Sequence, residues 1–315
     1  MNTAEALSHF SAHKRYLDYP HFMHSFFSER IQKISIHAGF TCPNRDGSKG
    51  RGGCTFCNNE SFSPAYCNDQ KSITAQLEEG IDFFGKKHAA QHYIAYFQSY
   101  TNSYDTIETI RLKYEEALQF PSVIGIAIGT RPDCVSEEFL SYLQEIQKKH
   151  FVLVEYGIES TNNTTLLAVN RGHTYEESVD AICRTHEKGI MIAAHLILGL
   201  PGENRESILQ HAKLLAKLPI SIIKLHQLQI IKRTTLAKQY EQNNKLVQFY
   251  TMEEYIDLCI DFIEFIPPHI CIERFVSQTP ATMRIAPHWG AKNHEFVDKI
   301  DKRLIERDTY QGKYC

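Results

Sequence analysis

Six nearly continuous apolar runs, each followed by an amphipathic stretch, constrain this chain more than any other feature. The runs are residues 33–38, 92–99 (HYIAYFQS), 122–130 (SVIGIAIGT), 151–160 (FVLVEYGIES), 191–201 (MIAAHLILGLP) and 220–231 (ISIIKLHQLQII). Between them, residues 72–85, 106–118, 136–149, 174–188 and 206–218 carry helical periodicity; Ser136 is placed as an N-cap and Gly189 as a stop. Strands apolar on both faces that alternate with helices of about a dozen residues are βαβ units in a parallel sheet. Right-handed crossovers curl such units into a barrel or a doubly wound sheet, and periodicity does not choose between them. After Thr251 the texture changes to a helix (252–266), the breaker Pro267-Pro268, a short strand candidate (269–276) and a charged helix (293–307) beyond Trp289. Residues 1–30 read as an irregular or partly helical lead-in.

The length of 315 residues, 43% of them hydrophobic, supports one barrel-sized domain with extensions, or two units. The net charge of −3 gives no global attraction to nucleic acid or anionic membrane. The first twenty residues contain no apolar core of a signal peptide, and no window reaches the roughly eighteen apolar residues of a membrane span. A cytoplasmic protein with no membrane partner is expected.

Nine cysteines in a reducing compartment favour metal binding or catalysis over disulfides. Three fall in one stretch, KISIHAGFTCPNRDGSKGRGGCTFC: eleven residues separate Cys42 from Cys54, and two separate Cys54 from Cys57. The other six, including Cys67, are scattered singly. Three thiolates on a loop leave one position open on an iron–sulfur cluster that usually takes four cysteines. A zinc site, with Cys67 as a fourth ligand, and a redox C-x-x-C remain alternatives on spacing alone.

In parallel α/β folds the active site collects where strands end. Here those ends are polar or glycine-rich: Gln98 to Asn102, Gly129 to Asp133, Gly157 to Ser160, Gly199 to Glu203, and His226-Gln227. The cysteine loop leaves the first strand at the same edge.

The motifs GFTCPNRDG with GGCTFC, TRPD (130–133), EYGIES (155–160), NRGHT (170–174) and LGLPGE (198–203) resemble those of radical S-adenosylmethionine enzymes of the YhcC/YtqA-type group. The core is similar to the Elongator catalytic subunit, which acts on tRNA wobble uridines. The cysteine spacing is longer than the commonest family pattern, C-x-x-x-C-x-x-C, as it is in this group, and Phe56 holds the aromatic place before the last cysteine. The resemblance implies a partial (β/α)6 TIM-type barrel over residues 31–235, an N-terminal extension (1–30) and a small α+β region (236–315) covering the substrate. It implies that Cys42, Cys54 and Cys57 ligate a [4Fe–4S] cluster, while S-adenosyl-L-methionine (SAM) is chelated at the fourth iron and reductively cleaved to a 5′-deoxyadenosyl radical. Arg171 would hold the SAM carboxylate and Glu159 the ribose. Gln98, Ser99, Thr130, His195, Gly199, Pro201 and His226 complete the implied cofactor site.

As partners the resemblance implies tRNA and an electron donor such as flavodoxin or ferredoxin. Lys224, Lys232, Arg233, Lys238, Arg274, Arg284 and Lys292 are the basic residues placed to meet RNA. Glu273, Arg274, Thr279, His288, Trp289 and Lys292 are expected to face the substrate. The alternatives are radical modification of a small metabolite or peptide, and a non-catalytic metal-binding module.

Overall fold

The computed structural model describes residues 10, 11, 13–85 and 92–315, so part of the expected lead-in (1–9 and 12) lies outside the described residues. Its centre is a seven-stranded, wholly parallel sheet. The strands are β1 (Ile31–Ile36), β2 (His92–Phe97), β3 (Val123–Thr130), β4 (Phe151–Glu159), β5 (Met191–Leu198), β6 (Ile222–Gln227) and, after one short intervening strand, β8 (Cys271–Arg274). Spatial order follows chain order, the arrangement of a barrel left open between β1 and β8. Six of these strands coincide with the apolar runs. The seventh comes from residues 269–276, so the C-terminal region adds a strand to the barrel.

The sixth apolar run breaks at Leu228-Gln229. Beyond it β7 (Ile230–Ile231) pairs antiparallel with β9 (Arg284–Ala286). The outer layer is made of α3 (Ile73–Gly85), α4 (Ile107–Leu118), α5 (Glu137–Ile146), α7 (Tyr175–Glu187), α8 (Arg205–Leu215) and α10 (Met252–Ile263), with α11 (Asn293–Glu306) against α10. Short helices occupy the connections: α1 (Tyr19–His24), α2 (Pro43–Asp46), α6 (Asn163–Ala168) and α9 (Thr235–Gln242). Helix starts are encoded locally. Thr106, Ser136, Thr174 and Thr251 each accept a bond from the backbone three residues on, worth about 1 kcal/mol apiece.

Two apolar layers hold the barrel. Outside, Leu77, Ile110, Tyr114, Leu140, Leu143, Ile182 and Ile208 pack on Ile34, Ile36, Phe97, Ile128, Val154 and Leu196. Inside, Ile94, Ala127, Leu153, Ala193, Ile222 and Cys271 form a small cluster sealed by Met23 of α1. The chain before α1 also bridges an edge: Ile272 N donates to Leu17 O at 2.8 Å beside β8. No helix among the described residues is long and apolar enough to cross a membrane.

Candidate active site

The cysteine loop is sewn down by backbone bonds from distant segments. Cys42 stands before α2, whose Pro43 suits the first helical turn. Gly53 N then donates to Asn44 O at 2.8 Å and returns the chain to α2. Thr55 N donates to Val169 O at 2.9 Å, and Leu236 N donates to Thr55 O at 2.8 Å. The loop is thereby clamped between the end of α6 and the start of α9. Phe56 packs on the small core of Val169, Leu200, Leu228 and Leu236.

Cys42, Cys54 and Cys57 line one cavity of about 230 Å³. Three nitrogen donors approach the sulfurs: Arg171 Nη1 lies 3.6 Å and Asn44 Nδ2 3.7 Å from Cys54 Sγ, and Asn59 Nδ2 lies 3.9 Å from Cys57 Sγ. Arg45 donates to the Cys57 carbonyl at 3.1 Å. Burial, then the neighbouring Cys54, push the Cys57 thiol up to about 11. Thiols crowded into one cavity, with N–H donors aimed at them, need a bound cation to ionise together. This donor set fits an iron–sulfur cluster, whose sulfurs take such hydrogen bonds. Among the described residues no three Cys, His, Asp or Glu side chains close on a single-ion point, as a tetrahedral zinc ion requires. Cys67 is apart: its thiol donates to Ser35 O at 3.0 Å, and burial pushes it up to about 12.

Arg171 sits between the thiols and β4. Asn170 (φ 53°) and Gly172 (φ 75°) are both left-handed, turning the NRGHT segment sharply into the capped start of α7. Arg171 Nη2 donates to Gly157 O at 2.6 Å, and its own carbonyl receives Arg131 Nη1 at 2.7 Å. Arg131 is fixed by a bidentate pair with Asp133, both bonds at 2.9 Å. Burial opposes ionisation of Asp133, but Arg131 prevails and holds its carboxyl down at about 2. Glu159 ends β4 in a left-handed conformation, φ 70°, rare for a residue with a side chain. Its carboxylate meets His195 Nδ1 at 2.8 Å and Arg171 at 3.9 Å. Despite burial, His195 and then Arg171 keep that carboxyl below its ordinary value. Gly157 permits the meeting: a Cβ there would stand 2.6 Å from the Glu159 carboxylate and 2.9 Å from Arg171.

Of the residues expected around the cofactor, Gln98, Thr130, Glu159, Arg171, His195 and His226 line the cavity. Ser99 is buried behind it, 3.3 Å from Ser63 Oγ. Gly199 lines a separate small cleft with Tyr250 and Trp289, and Pro201 lines neither. Glu203 of LGLPGE is turned away from the cavity. It accepts from Ser160 at 2.6 Å and pairs with His211 at 3.0 Å, and His211 bonds Thr161 at 2.7 Å, locking the turn after Glu159. From the C-terminal region Arg274 and Thr279 reach the cavity; His288, Trp289 and Lys292 do not, and Trp289 Nε1 donates to Tyr250 O at 3.1 Å.

Beneath the cavity lies a charged layer. Lys33 (β1) contacts Glu155 (β4) at 2.7 Å and Glu273 (β8) at 3.0 Å; Lys224 (β6) contacts the same two at 2.5 and 3.1 Å. Both lysines lie over the ring of Tyr96, at 5.5 and 4.8 Å. Burial would raise the Glu155 carboxyl, but Lys224 and Lys33 hold it far below the carboxylate range. Lys224, expected on an RNA-facing surface, is therefore corrected: it is 3% exposed and fully engaged. The signal that could have found this layer is a charge in the interior of an otherwise apolar strand: Lys33 in IQKISI, Glu155 in FVLVEYGIE and Lys224 in IIKLHQ. Such a charge must have a partner inside.

Residues 42–215 match the Radical SAM superfamily, and residues 220–306 match the Radical_SAM C-terminal domain. The chain is 34% identical to the uncharacterized protein YtqA of Bacillus subtilis, over 96% of this chain and 93% of that one. It is 32% identical to protein YhcC of Escherichia coli, over 89% of each. A tRNA uridine(34) acetyltransferase of Methanocaldococcus infernus is 24% identical over 58% of this chain and 34% of its own length. Among solved structures, the archaeal Methanocaldococcus infernus Elp3 with an N-terminal deletion superposes with a TM-score of 0.68 at 17% identity, covering 89% of this chain and 64% of that one. That likeness speaks for the fold. The sequence matches take in the cysteine loop, the Arg171 turn and the barrel that frames them, and they make this chain a member of the radical SAM superfamily, enzymes that work with a [4Fe–4S] cluster and SAM.

Proposed function

We propose that this radical SAM enzyme modifies a base of tRNA, at the side-chain position of a wobble uridine. Cys42, Cys54 and Cys57 hold the cluster, with Asn44, Asn59 and Arg171 donating toward the sulfurs. Arg171 also meets the SAM carboxylate, and Glu159, oriented by His195, meets the ribose. When bound, the two groups supply one-electron cleavage of the sulfonium, giving a 5′-deoxyadenosyl radical that takes a hydrogen atom from the substrate. The charged layer closes the barrel below, so the radical is sheltered from water and the substrate enters from the strand-end side. In this reading residues 31–235 are the catalytic core, and residues 236–315 contribute β8 and substrate contacts at Arg274 and Thr279.

The observation that carries the reading is the match to the tRNA uridine(34) acetyltransferase, which covers 58% of this chain, together with the polar side chains His226, Gln229, Arg274, Ser277 and Thr279 set in a cavity wall otherwise lined by Phe56, Phe62, Ile197, Leu228 and Ile231. An electron donor such as flavodoxin or ferredoxin completes the system. The test is mass-spectrometric nucleoside profiling of tRNA from a strain lacking the gene. A modified uridine should disappear or a precursor should accumulate. An unchanged profile removes tRNA and leaves radical modification of a small metabolite or peptide.

A further inference from the structure

Besides Arg171 Nε, next to the thiols, three polar atoms in the cavity wall are shut off from solvent and have no protein partner: Gln229 Oε1, Arg274 Nε and His226 Nδ1. All three belong to the segments ending β6 and β8, the side of the barrel away from the cysteine loop in chain order. A buried polar atom left unpaired keeps its full desolvation cost, and folded proteins leave few of them. Three around one cavity point to a ligand that supplies the missing partners.

Their chemistry narrows that ligand. Gln229 is 2% exposed, and its Nε2 donates to Ser277 O at 2.9 Å. The same carbonyl receives Gln227 Nε2 at 2.9 Å, while Ser277 N donates to Gln227 Oε1 at 2.9 Å. Turning the Gln229 amide over would set oxygen against oxygen at Ser277, so Oε1 is held as the free atom, an acceptor only. Arg274 is a donor only. Its Nη2 lies 3.4 Å from His195 Nε2, and Nε is left over. The His226 ring is 5.6 Å from that of His195. Desolvation, then Arg274 and His195, keep His226 neutral, so its Nδ1 serves as either donor or acceptor.

We infer that Gln229, Arg274 and His226 form a subsite for the imide edge of a uracil-type base, whose N3–H meets Gln229 Oε1 while its two carbonyl oxygens face the donors on Arg274 and His226. The subsite rests on the tRNA reading above and names the base that it takes. Cytosine is mismatched, because its N3 lone pair would face the Gln229 oxygen. The subsite also moves His226 from the cofactor to the substrate.

The ligand side can be varied without altering the protein. Holoprotein would be titrated anaerobically, by fluorescence anisotropy, with labelled anticodon stem–loop RNAs carrying uridine, 3-methyluridine or cytidine at the wobble position. Loss of a good base-edge contact discriminates strongly between bases, so the uridine RNA should bind about five- to a hundredfold tighter than the other two. Gln229→Leu should erase that preference, and Gln229→Glu, which keeps an acceptor, should retain part of it. Binding of S-adenosylhomocysteine, followed by equilibrium dialysis, should be the same in all three proteins. Equal binding of the uridine and 3-methyluridine RNAs overturns the subsite. So does a Gln229→Leu protein that loses S-adenosylhomocysteine and keeps its RNA preference, since these atoms would then serve adenine. If base preference is absent while the tRNA profile of the deletion strain changes, only the subsite fails. If the RNAs do not bind and the profile is unchanged, the tRNA reading fails with it.

Discussion

The rim that carries the three thiols and the charged layer beneath it are both polar and enclosed, yet they are held in opposite ways. The rim is built from loops: left-handed residues at Gly53, Glu159, Asn170 and Gly172, and backbone bonds joining the cysteine loop to α6 and α9. The layer is built from side chains on four separate strands, which meet only after the sheet has curled. Lys33 and Glu273 stand on the two edge strands, which share no ladder bonds, so their 3.0 Å contact ties the open seam of the barrel. Damage to the rim should therefore be functional, and damage to the layer should appear as lost stability.

The largest effect expected from that contrast is at the thiols. Cys42→Ala, Cys54→Ala and Cys57→Ala should each lose the cluster almost completely, read as iron content and absorbance near the visible edge, while the proteins stay folded. Cys67→Ala should keep it, because that thiol already donates to Ser35 O. A colourless Cys67→Ala protein would mean that the ligand set has been misassigned.

The layer gives the next effect. Removing one member of a buried ion pair strands its partner and costs about 3–5 kcal/mol. Glu155→Gln, which leaves Lys33 and Lys224 facing Glu273 alone, should lower stability in urea by about that amount. Glu155→Leu combined with Lys224→Met should recover much of the loss, since Lys33 and Glu273 remain as a neutral pair. A Glu155→Gln protein as stable as the parent would show that the seam is held by other contacts.

Arg171 belongs to the rim but touches both systems. Hydrogen bonds to charged groups contribute about 1.5–3 kcal/mol, so Arg171→Ala should weaken SAM binding about ten- to a hundredfold with the cluster retained. Unchanged affinity in an equilibrium binding measurement would remove Arg171 from the carboxylate. Loss of the cluster itself would recast it as a support for Cys54, 3.6 Å away.

The same contrast explains what could be read from the chain alone. Rim residues are contiguous or lie in short motifs, because each strand end contributes one loop; the thiols, Arg171 and Glu159 were all visible that way. The six strands were visible as well, since burial on both faces makes each an apolar run. The layer was not. Lys33, Glu155, Lys224 and Glu273 are spread over 240 residues, and no local pattern says that they meet. Gly199 and Pro201 are the converse case. They lie in a recognisable motif at a strand end, but the turn is used to bury Glu203 against His211, and neither residue lines the cavity.

The smallest prediction separates the two regions by pH. On the rim, His173 is 5% exposed, and desolvation followed by the Arg171 charge lowers it to about 3. A histidine depressed in the folded state binds fewer protons there than in the unfolded chain. Its burial is therefore harmless above about pH 6.5, and stability falls as pH drops below that value, levelling off only near pH 3. Between pH 7 and pH 5 the loss from this one group is about 2 kcal/mol. Asp133, held down at about 2, has the opposite sign: its contribution is present above about pH 4, is lost as pH falls toward 2, and is silent in this window. Glu155 in the layer is likewise ionised throughout it. Urea unfolding of the wild type and His173→Gln at pH 7 and pH 5 isolates the rim: the variant should lose about 2 kcal/mol less than the parent. Equal losses would mean that His173 is protonated or solvated in the folded protein, and the acid sensitivity would then belong elsewhere.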